Sequence, residues 1–301
     1  MTAPIGVVAP AADQVVVRRE GGSRLGRWPI HLTIIILLVV WLIPTVGLFV
    51  NSLRPTADVN DSGWWTVIFH PEQLSFDNYA HVLAQSNIGP AFINSLFITI
   101  PATIIPVLVA AFAAYAFAWM TFPGRNVLFV IVVGLLVVPL QTTLIPILQL
   151  YGPKGLNIAG SFLTVWLAHT AYGLPFAIFL LRNFMGGLPR EVFESAAIDG
   201  ASPVTSFIRL ALPMSVPAIA ALVIFQFLFV WNDLLVALVY LGSSPDNLPL
   251  TVTISNLVTS LGGGWEFLGA AAFISMALPL AVFFLLQRYF VRGITGGSVK
   301  G

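Results

Sequence analysis

The chain has 301 residues, of which 58% are hydrophobic and only 8% charged, and its mean hydropathy of +0.94 excludes a soluble globular domain of this length. The net charge of +1 gives no indication of a nucleic-acid partner, and we expect none. The absence of cysteine excludes disulfides, thiolate metal sites and cysteine catalysis. We therefore expect an all-α protein that crosses a membrane several times.

Six apolar runs are long enough, at roughly 20 residues each, to cross a hydrocarbon core of ~30 Å. In chain order the predicted spans are Ile30–Ser52, Ser95–Ala118, Leu128–Gln149, Phe162–Leu181, Val216–Tyr240 and Phe267–Phe290. The predicted organisation is a disordered cytoplasmic tail at 1–28, a first transmembrane helix at 29–53, an extracytoplasmic segment at 54–90, a five-helix transmembrane domain at 91–290 that includes a cytoplasmic loop at 182–215, and a cytoplasmic tail at 291–301.

The basic residues predict the orientation of these spans. With both termini in the cytoplasm, all 13 Lys and Arg residues except Arg54 and Lys154 fall on the cytoplasmic side. This distribution agrees with the excess of basic residues that cytoplasmic loops carry. The same orientation places the loop at 182–215 where a soluble cytoplasmic partner can reach it.

The polar segment between the fourth and fifth spans begins with the pattern of a short helix. Pro189 suits the first helical turn, where a backbone N–H is not needed. The carboxylates of Glu191 and Glu194 suit the positive end of the helix dipole. Small residues follow at Ala196 and Ala197, so the helix is predicted to be slim.

A tight turn and a second helix follow. Asp199 and Gly200 predict a helix end, because glycine readily adopts the left-handed conformation found there. Ser202 and Pro203 then predict the cap and the first residue of the next helix. Two short helices joined by a turn are therefore expected in this loop.

This loop resembles the EAA loop of bacterial ABC importer permeases, whose pattern is Glu-Ala-Ala, a glycine four residues later, and Ile-x-Leu-Pro. The corresponding residues are Glu194-Ser195-Ala196, Gly200 and Leu210-Ala211-Leu212-Pro213, with Ser195 and Leu210 as departures of similar size. The resemblance implies that the loop at 182–215, here named the coupling loop, contacts an ATPase. The implied contact residues are Glu191, Glu194, Ser195, Ala196, Ala197, Asp199, Gly200, Ala201, Leu212 and Pro213.

Other strings extend the resemblance along the chain. Val138-Pro139-Leu140-Gln141 and Trp231-Asn232-Asp233 are similar to carbohydrate permeases of the maltose type. Ser62-Gly63-Trp64-Trp65 and Trp166-Leu167-Ala168-His169-Thr170 resemble the second permease subunit of alpha-glucoside importers. The implied protein is a multi-pass subunit of a bacterial or archaeal inner membrane with the type I ABC importer fold.

The resemblance also implies a set of partners. These are a second, different permease subunit, two ATPase subunits, an extracytoplasmic sugar-binding protein, membrane lipids and the sugar itself. The chain has no Gly-x-x-x-x-Gly-Lys-Ser/Thr loop to hold phosphates. ATP and Mg are accordingly expected on the partner ATPase, with no cofactor, catalytic residue or metal ligand on this chain.

Polar residues within the predicted spans are candidates for the sugar route. Asp233 is the one carboxylate that the hydropathy pattern places inside a span, and such a residue is a functional candidate. Gln226, seven residues earlier, lies on nearly the same helical face, and Trp231 and Asn232 suit stacking and hydrogen bonding with a sugar. Weaker candidates are Gln141, Thr142, Thr143, His169 and Tyr172. The alternatives are bonds between neighbouring helices, or an Asp233 at the outer interface.

Two other functions remain open. A secondary, ion-coupled transporter is expected to contain inverted repeats and several intramembrane ion-coupling groups, of which only Asp233 is a candidate. A polytopic membrane enzyme needs clustered His, Asp or Glu residues at one membrane face. The four histidines, His31, His70, His81 and His169, share no motif.

Overall fold

The computed structural model describes residues 28–85, 87–242, 244–257 and 264–295, without the side chains of Gln85, Pro245 and residues 288–295. The predicted N-terminal tail and the last residues of the predicted C-terminal tail lie outside these ranges. So do Gly262 and Gly263, which the sequence indicates as part of a flexible outer tip. The final helix continues to Thr295, beyond the predicted boundary at residue 290.

The described residues form helices joined by loops and turns, and there is no strand among them. In chain order the α-helices are α1 Trp28–Ser52, α2 Thr56–Asp61, α3 Asp77–Gln85, α4 Ile88–Trp119, α5 Arg125–Gly134, α6 Leu140–Tyr151, α7 Phe162–Gly186, α8 Arg190–Ile198, α9 Pro203–Ser206, α10 Leu212–Met214, α11 Val216–Trp231, α12 Leu235–Leu241, α13 Leu250–Ser255 and α14 Trp265–Thr295. A π-helical turn, Phe207–Ala211, joins α9 to α10.

The chain forms two compact units, Met1–Val46 and Gly47–Gly301. The described part of the first unit is the N-terminal portion of α1, which is apolar and exposed along its length. Its composition is that of a helix solvated by lipid. The second unit contains the rest of α1 and all later helices.

Four helices in the described residues are long and apolar enough to cross a bilayer: α1, α4, α7 and α14. Two bent pairs raise the number to as many as six if each pair is one span. One pair joins the segment Arg125–Val137 to α6 at an angle of 102°, and the other joins the segment Pro203–Met214 to α11 at 73°.

The prediction of six continuous spans is wrong for the third and the fifth. The third breaks at Val138 and Pro139, because proline has no N–H to donate and also moves the preceding residue away from helical geometry. The fifth ends at Trp231, and α12 begins three residues after Asn232. Hydropathy alone does not reveal these breaks, since apolar residues continue on both sides.

Helix α4 lies at the centre of the second unit and contributes to each of its three buried apolar clusters. Its buried face is rich in small residues, and Ala102, Ala110, Ala111 and Ala114 are at most 3% exposed. Small residues let helix backbones approach closely, which is the usual means of packing helices in a membrane. Helix α7 packs along this face, and α11 packs beside it.

Arg54 organises the segment that follows α1. It is fully buried, and its guanidinium donates only to uncharged oxygens among the described residues. The acceptors are Gln73 Oε1, Asn51 Oδ1, the Ser62 and Asp58 carbonyls, Ser62 Oγ and Thr66 Oγ1. A buried arginine with this many partners fixes the course of residues 54–73.

Candidate functional site

The coupling loop has the helix end that its sequence predicts. Gly200 has φ of +79°, in the left-handed region. Its N–H donates to the Ala197 carbonyl at 3.1 Å, and the Ala201 N–H donates to the Ala196 carbonyl at 2.9 Å. These two bonds form a Schellman motif, which satisfies carbonyls at the end of α8.

The second helix of the loop also begins as predicted. Ser202 Oγ accepts from the Thr205 N–H at 3.2 Å, and Pro203 occupies the first helical position. The chain then continues through the π-helical turn into α10, where Pro213 has no N–H for a regular helical bond. The loop is therefore an ordered structure with satisfied helix ends.

The predicted contact residues lie mostly on the surface of this loop. Glu191, Glu194 and Asp199 are exposed, and no ion pair within the described part of the chain involves them. Exposed too are Ser195, Ala197, Gly200 and Pro213, whereas Ala196, Ala201 and Leu212 are half-buried. The surface also carries apolar side chains, of which Ile198 is 86% exposed. Such a surface can bind a protein partner through both apolar and charged contacts.

Phe193 attaches α8 to the transmembrane helices. Its ring stacks on the indole of Trp119 with 3.9 Å between centroids and 22° between planes. Trp119 ends α4, and its Nε1 donates to the Met185 carbonyl near the end of α7 at 3.0 Å. Phe193 and Trp119 therefore place α8 against the ends of α4 and α7.

The sequence analysis did not identify Phe193 or Trp119. The sequence feature that indicates Phe193 is that it is the single aromatic residue of α8 and stands between two exposed carboxylates.

The coupling loop also contains a cleft of 360 Å³, lined by Asp199, Gly200, Thr205 and Arg209 among others. It presents both a carboxylate and a guanidinium to a partner.

Two candidates for the sugar route, Gln226 and Trp231, lie inside the second unit. Gln226 is 5% exposed, and its Nε2 donates to the Ala102 carbonyl at 3.2 Å and to the His169 carbonyl at 3.4 Å. Trp231 is 2% exposed, and its Nε1 donates to the Ser275 carbonyl at 3.2 Å. Both side chains thus bond neighbouring helices.

Asp233 lies in the break between α11 and α12, so the expectation that it sits within a continuous helix is wrong. Its carboxylate accepts from the Val236 N–H at 3.3 Å and the Ala237 N–H at 3.0 Å, and it caps α12. His169 Nε2 lies 3.6 Å from Asp233 Oδ2. The imidazole is fully buried, and neither of its nitrogens makes a hydrogen bond to a described residue.

Of the remaining candidates, Tyr172 and Thr143 take part in a partly buried chain of hydroxyl groups, and the others lie on the surface. The Tyr172 hydroxyl lies 2.9 Å from Thr143 Oγ1 and 2.9 Å from the Tyr240 hydroxyl, so it links α6, α7 and α12. Gln141 and Asn232 are exposed. The structure therefore brings His169 and Asp233 together, with Gln226 bonded to the His169 backbone, and leaves Gln141 apart. Among the described residues, no group of three or more His, Asp or Glu side chains could hold a metal ion.

Comparison with known proteins gives consistent matches along nearly the whole chain. A family model described as binding-protein-dependent transport system inner membrane component matches residues 15–296. The osmoprotective compounds uptake permease protein GgtD of Synechocystis sp. is 59% identical over 275 residues, which cover 90% of this chain and 92% of that protein. The alpha-glucoside transport system permease protein AglG of Rhizobium meliloti is 41% identical over 369 residues, covering 91% and 97%.

The fold also has a counterpart among solved structures. A chain from the crystal structure of a bacterial ABC transporter involved in the import of the acidic polysaccharide alginate superposes with a TM-score of 0.74. The match covers 89% of this chain and 98% of the other, at 21% sequence identity. At this identity the likeness shows a shared fold.

Proposed function

Because the chain belongs to the family of binding-protein-dependent transport system inner membrane components, we propose that it is the permease subunit of an ATP-driven importer of alpha-glucosides or related di- and oligosaccharides. The family consists of transporter subunits, so the chain is not an enzyme. Family membership also removes the secondary transporter and the membrane enzyme as alternatives. The 41% identity with a relative named for alpha-glucoside transport supports the substrate class.

In this proposal the coupling loop binds the ATPase. The observation that carries it is an ordered, exposed loop with unpaired carboxylates, attached through Phe193 and Trp119 to the ends of two membrane helices. Glu191, Glu194 and Asp199 supply charge, and the small residues Ser195 to Ala197 allow close approach. The Schellman turn at Gly200 presents this surface as a rigid unit.

The family supports a proposal for the remaining parts of the complex. A second, different permease completes the membrane pore, and two ATPase subunits bind ATP and Mg on the cytoplasmic side, where both termini of this chain also lie. An extracytoplasmic binding protein delivers the sugar. Closure of the ATPase dimer moves the coupling loop, and the membrane helices rock as rigid bodies between outward-facing and inward-facing states.

We further propose a division of roles among the candidates for the sugar route. Gln141 and Asn232 are exposed, so they can form hydrogen bonds with sugar hydroxyls, Asn232 through its Oδ1 because its Nδ2 donates to the Leu228 carbonyl at 2.9 Å. The other candidates form hydrogen bonds or close contacts within the protein, and we propose that they support the exposed residues from behind. They are His169, Tyr172, Gln226, Trp231 and Asp233.

A second substrate class is favoured by one observation. The relative at 59% identity is named for uptake of osmoprotective compounds, and its identity exceeds that of the alpha-glucoside relative. Osmoprotective compounds are therefore the competing substrate class.

Uptake into proteoliposomes distinguishes the two classes. The complex is purified through a tag on this chain and reconstituted with its binding protein, and labelled maltose, sucrose and trehalose are compared with glycosylated polyols and glycine betaine. ATP-dependent uptake of the disaccharides supports the proposal. Uptake of the osmolytes without the disaccharides assigns the second class, and uptake that persists without the ATPase contradicts both.

A further inference from the structure

Several transmembrane helices of the second unit contain or precede a proline. Proline has no N–H, so the carbonyl four residues earlier loses its regular helical partner. Inside a membrane bulk water does not replace that partner, so a donor from a neighbouring helix stabilises such a carbonyl where one is present. The question is which groups supply it.

Helix α4 contains two such carbonyls, and each has a donor from another helix. Pro101 removes the partner of the Phe97 carbonyl, which accepts from Trp166 Nε1 of α7 at 3.0 Å. Pro106 removes the partner of the Ala102 carbonyl, which accepts from Gln226 Nε2 of α11 at 3.2 Å.

The same relation recurs in α14. Pro279 removes the partner of the Ser275 carbonyl, which accepts from Trp231 Nε1 of α11 at 3.2 Å.

A related bond lies at the end of α7. Helix α7 ends at Gly186, so the Met185 carbonyl is among the last four of the helix and has no regular helical partner; it accepts from Trp119 Nε1 of α4 at 3.0 Å. The Met185 carbonyl also receives the Leu188 N–H at 3.3 Å, so its dependence on Trp119 is weaker than in the other cases.

Neighbouring residues leave space for these donor side chains or hold them in place. Gly173 leaves the space that the Gln226 amide occupies, since a Cβ at this position would stand 2.5 Å from Gln226 Oε1. Trp231 packs between Phe92, edge to face, and Phe227, stacked. Trp119 carries the Phe193 ring of the coupling loop on its indole face.

We propose that Trp166, Gln226 and Trp231 are positioning residues that replace the N–H groups removed by proline. Together with the helix-end bond of Trp119, they tie α4, α7, α11 and α14 into one body. Two bonds join α4 to α7, one joins α11 to α4, and one joins α11 to α14. The coupling loop pushes on this body at Trp119, and the far end of the body moves with it. This last step rests on the proposed coupling function.

A double-mutant cycle tests the pairing of donor and proline. Trp166→Phe removes the indole N–H, and Pro101→Ala restores a backbone N–H for the Phe97 carbonyl. We expect the fall in thermal midpoint caused by Trp166→Phe in the assembled complex to shrink by about half or more in the Pro101→Ala background, because the two changes share one acceptor. Trp231→Phe with Pro279→Ala should behave in the same way.

The matched control is Trp265→Phe, which removes an indole N–H that is exposed and has no hydrogen-bond partner in the described residues. Its effect should be the same with and without Pro279→Ala. If Trp166→Phe prevents assembly, recovery of the complex by Pro101→Ala becomes the measurement. Equal effects of Trp166→Phe in both backgrounds overturn the pairing.

An activity measurement tests whether these interhelical hydrogen bonds transmit movement from the coupling loop. The ratio of sugar-stimulated to basal ATP hydrolysis should fall about threefold in Trp231→Phe, the factor expected for one interhelical hydrogen bond, and should recover with Pro279→Ala. An unchanged ratio overturns the transmission role. Failure of the coupling proposal itself is seen separately, as a Gly200→Asp complex that keeps full stimulation, and it leaves the thermal cycle intact.

Discussion

Two single glycines are needed for different physical reasons, one for its backbone conformation and one for a close approach. Gly200 ends α8 with a positive φ, and a Cβ built there meets no atom within 4 Å. The requirement for glycine is therefore conformational within this chain. Gly173 has a regular helical backbone, but it lies against the buried Gln226 amide.

Gly200→Ala should strain the turn without creating a clash. The left-handed conformation costs a residue with a Cβ about 1–2 kcal/mol, so the thermal midpoint of the complex should fall while the loop remains folded. Gly186→Ala is the matched control, because Gly186 lies in α7 with open space around it and a negative φ. Differential scanning fluorimetry of both complexes checks this, and an equal response of the two variants would contradict it.

Gly173→Ala should displace the Gln226 amide and leave the Ala102 carbonyl without a donor. An unsatisfied buried polar group costs about 1–3 kcal/mol. Combining Gly173→Ala with Gln226→Ala should add little further loss, because the bond is already broken. Gly134→Ala, at an uncrowded helical position, serves as control. Additive losses in the double variant would show that the two residues act independently.

At the scale of helices, α8 contributes its buried residue Phe193 to an apolar cluster of the second unit, where the ring stacks on Trp119. The exposed face of α8 and its buried residue Phe193 therefore have separable roles. In the proposed coupling, the exposed face binds the ATPase and the buried ring transmits its movement to Trp119.

Phe193→Ala should uncouple the complex while the ATPase remains bound. Loss of the ring removes the stack, worth about 0.5–1.5 kcal/mol beyond its buried area, and α8 becomes loose. Sugar-stimulated ATP hydrolysis should fall, whereas the amount of co-purified ATPase should not. Ile198→Ala, on the exposed face, should do the opposite and reduce ATPase retention. Loss of ATPase in Phe193→Ala with normal retention in Ile198→Ala would reverse this assignment.

Helix α12 depends on its cap at Asp233. Asp233→Ala removes both acceptors and should cost about 0.5–2 kcal/mol of stability, whereas Asp233→Asn keeps an oxygen for the Val236 or Ala237 N–H. Thermal unfolding of the two complexes distinguishes the contribution of the helix cap to stability from that of the carboxylate charge. If the role is structural, the sugar concentration for half-maximal uptake is unchanged in Asp233→Asn. A large rise in that concentration with normal stability would instead indicate direct contact with sugar.

For the whole molecule, the sequence predicts structure that depends on neighbouring residues. It does not predict contacts between residues that are distant in the chain. The turn at Gly200 and the cap at Ser202 follow from neighbouring residues, so their geometry was predictable. The break at Asn232 was not, because no proline or glycine marks it. Trp231 and Ser275 are paired only by tertiary packing, although Pro279 indicates in the sequence which carbonyl needs a donor.

In the proposed mechanism this chain converts ATPase closure into sugar transport through the coupling loop. The most direct measurement is sugar-stimulated ATP hydrolysis by the complex co-purified through a tag on this chain and reconstituted with its binding protein, compared between wild type and Gly200→Asp. We expect stimulation by alpha-glucosides in wild type and its loss in the variant, because a side chain and a charge there strain the turn and oppose docking. Full stimulation in the variant, or a preparation without any ATPase, would contradict it.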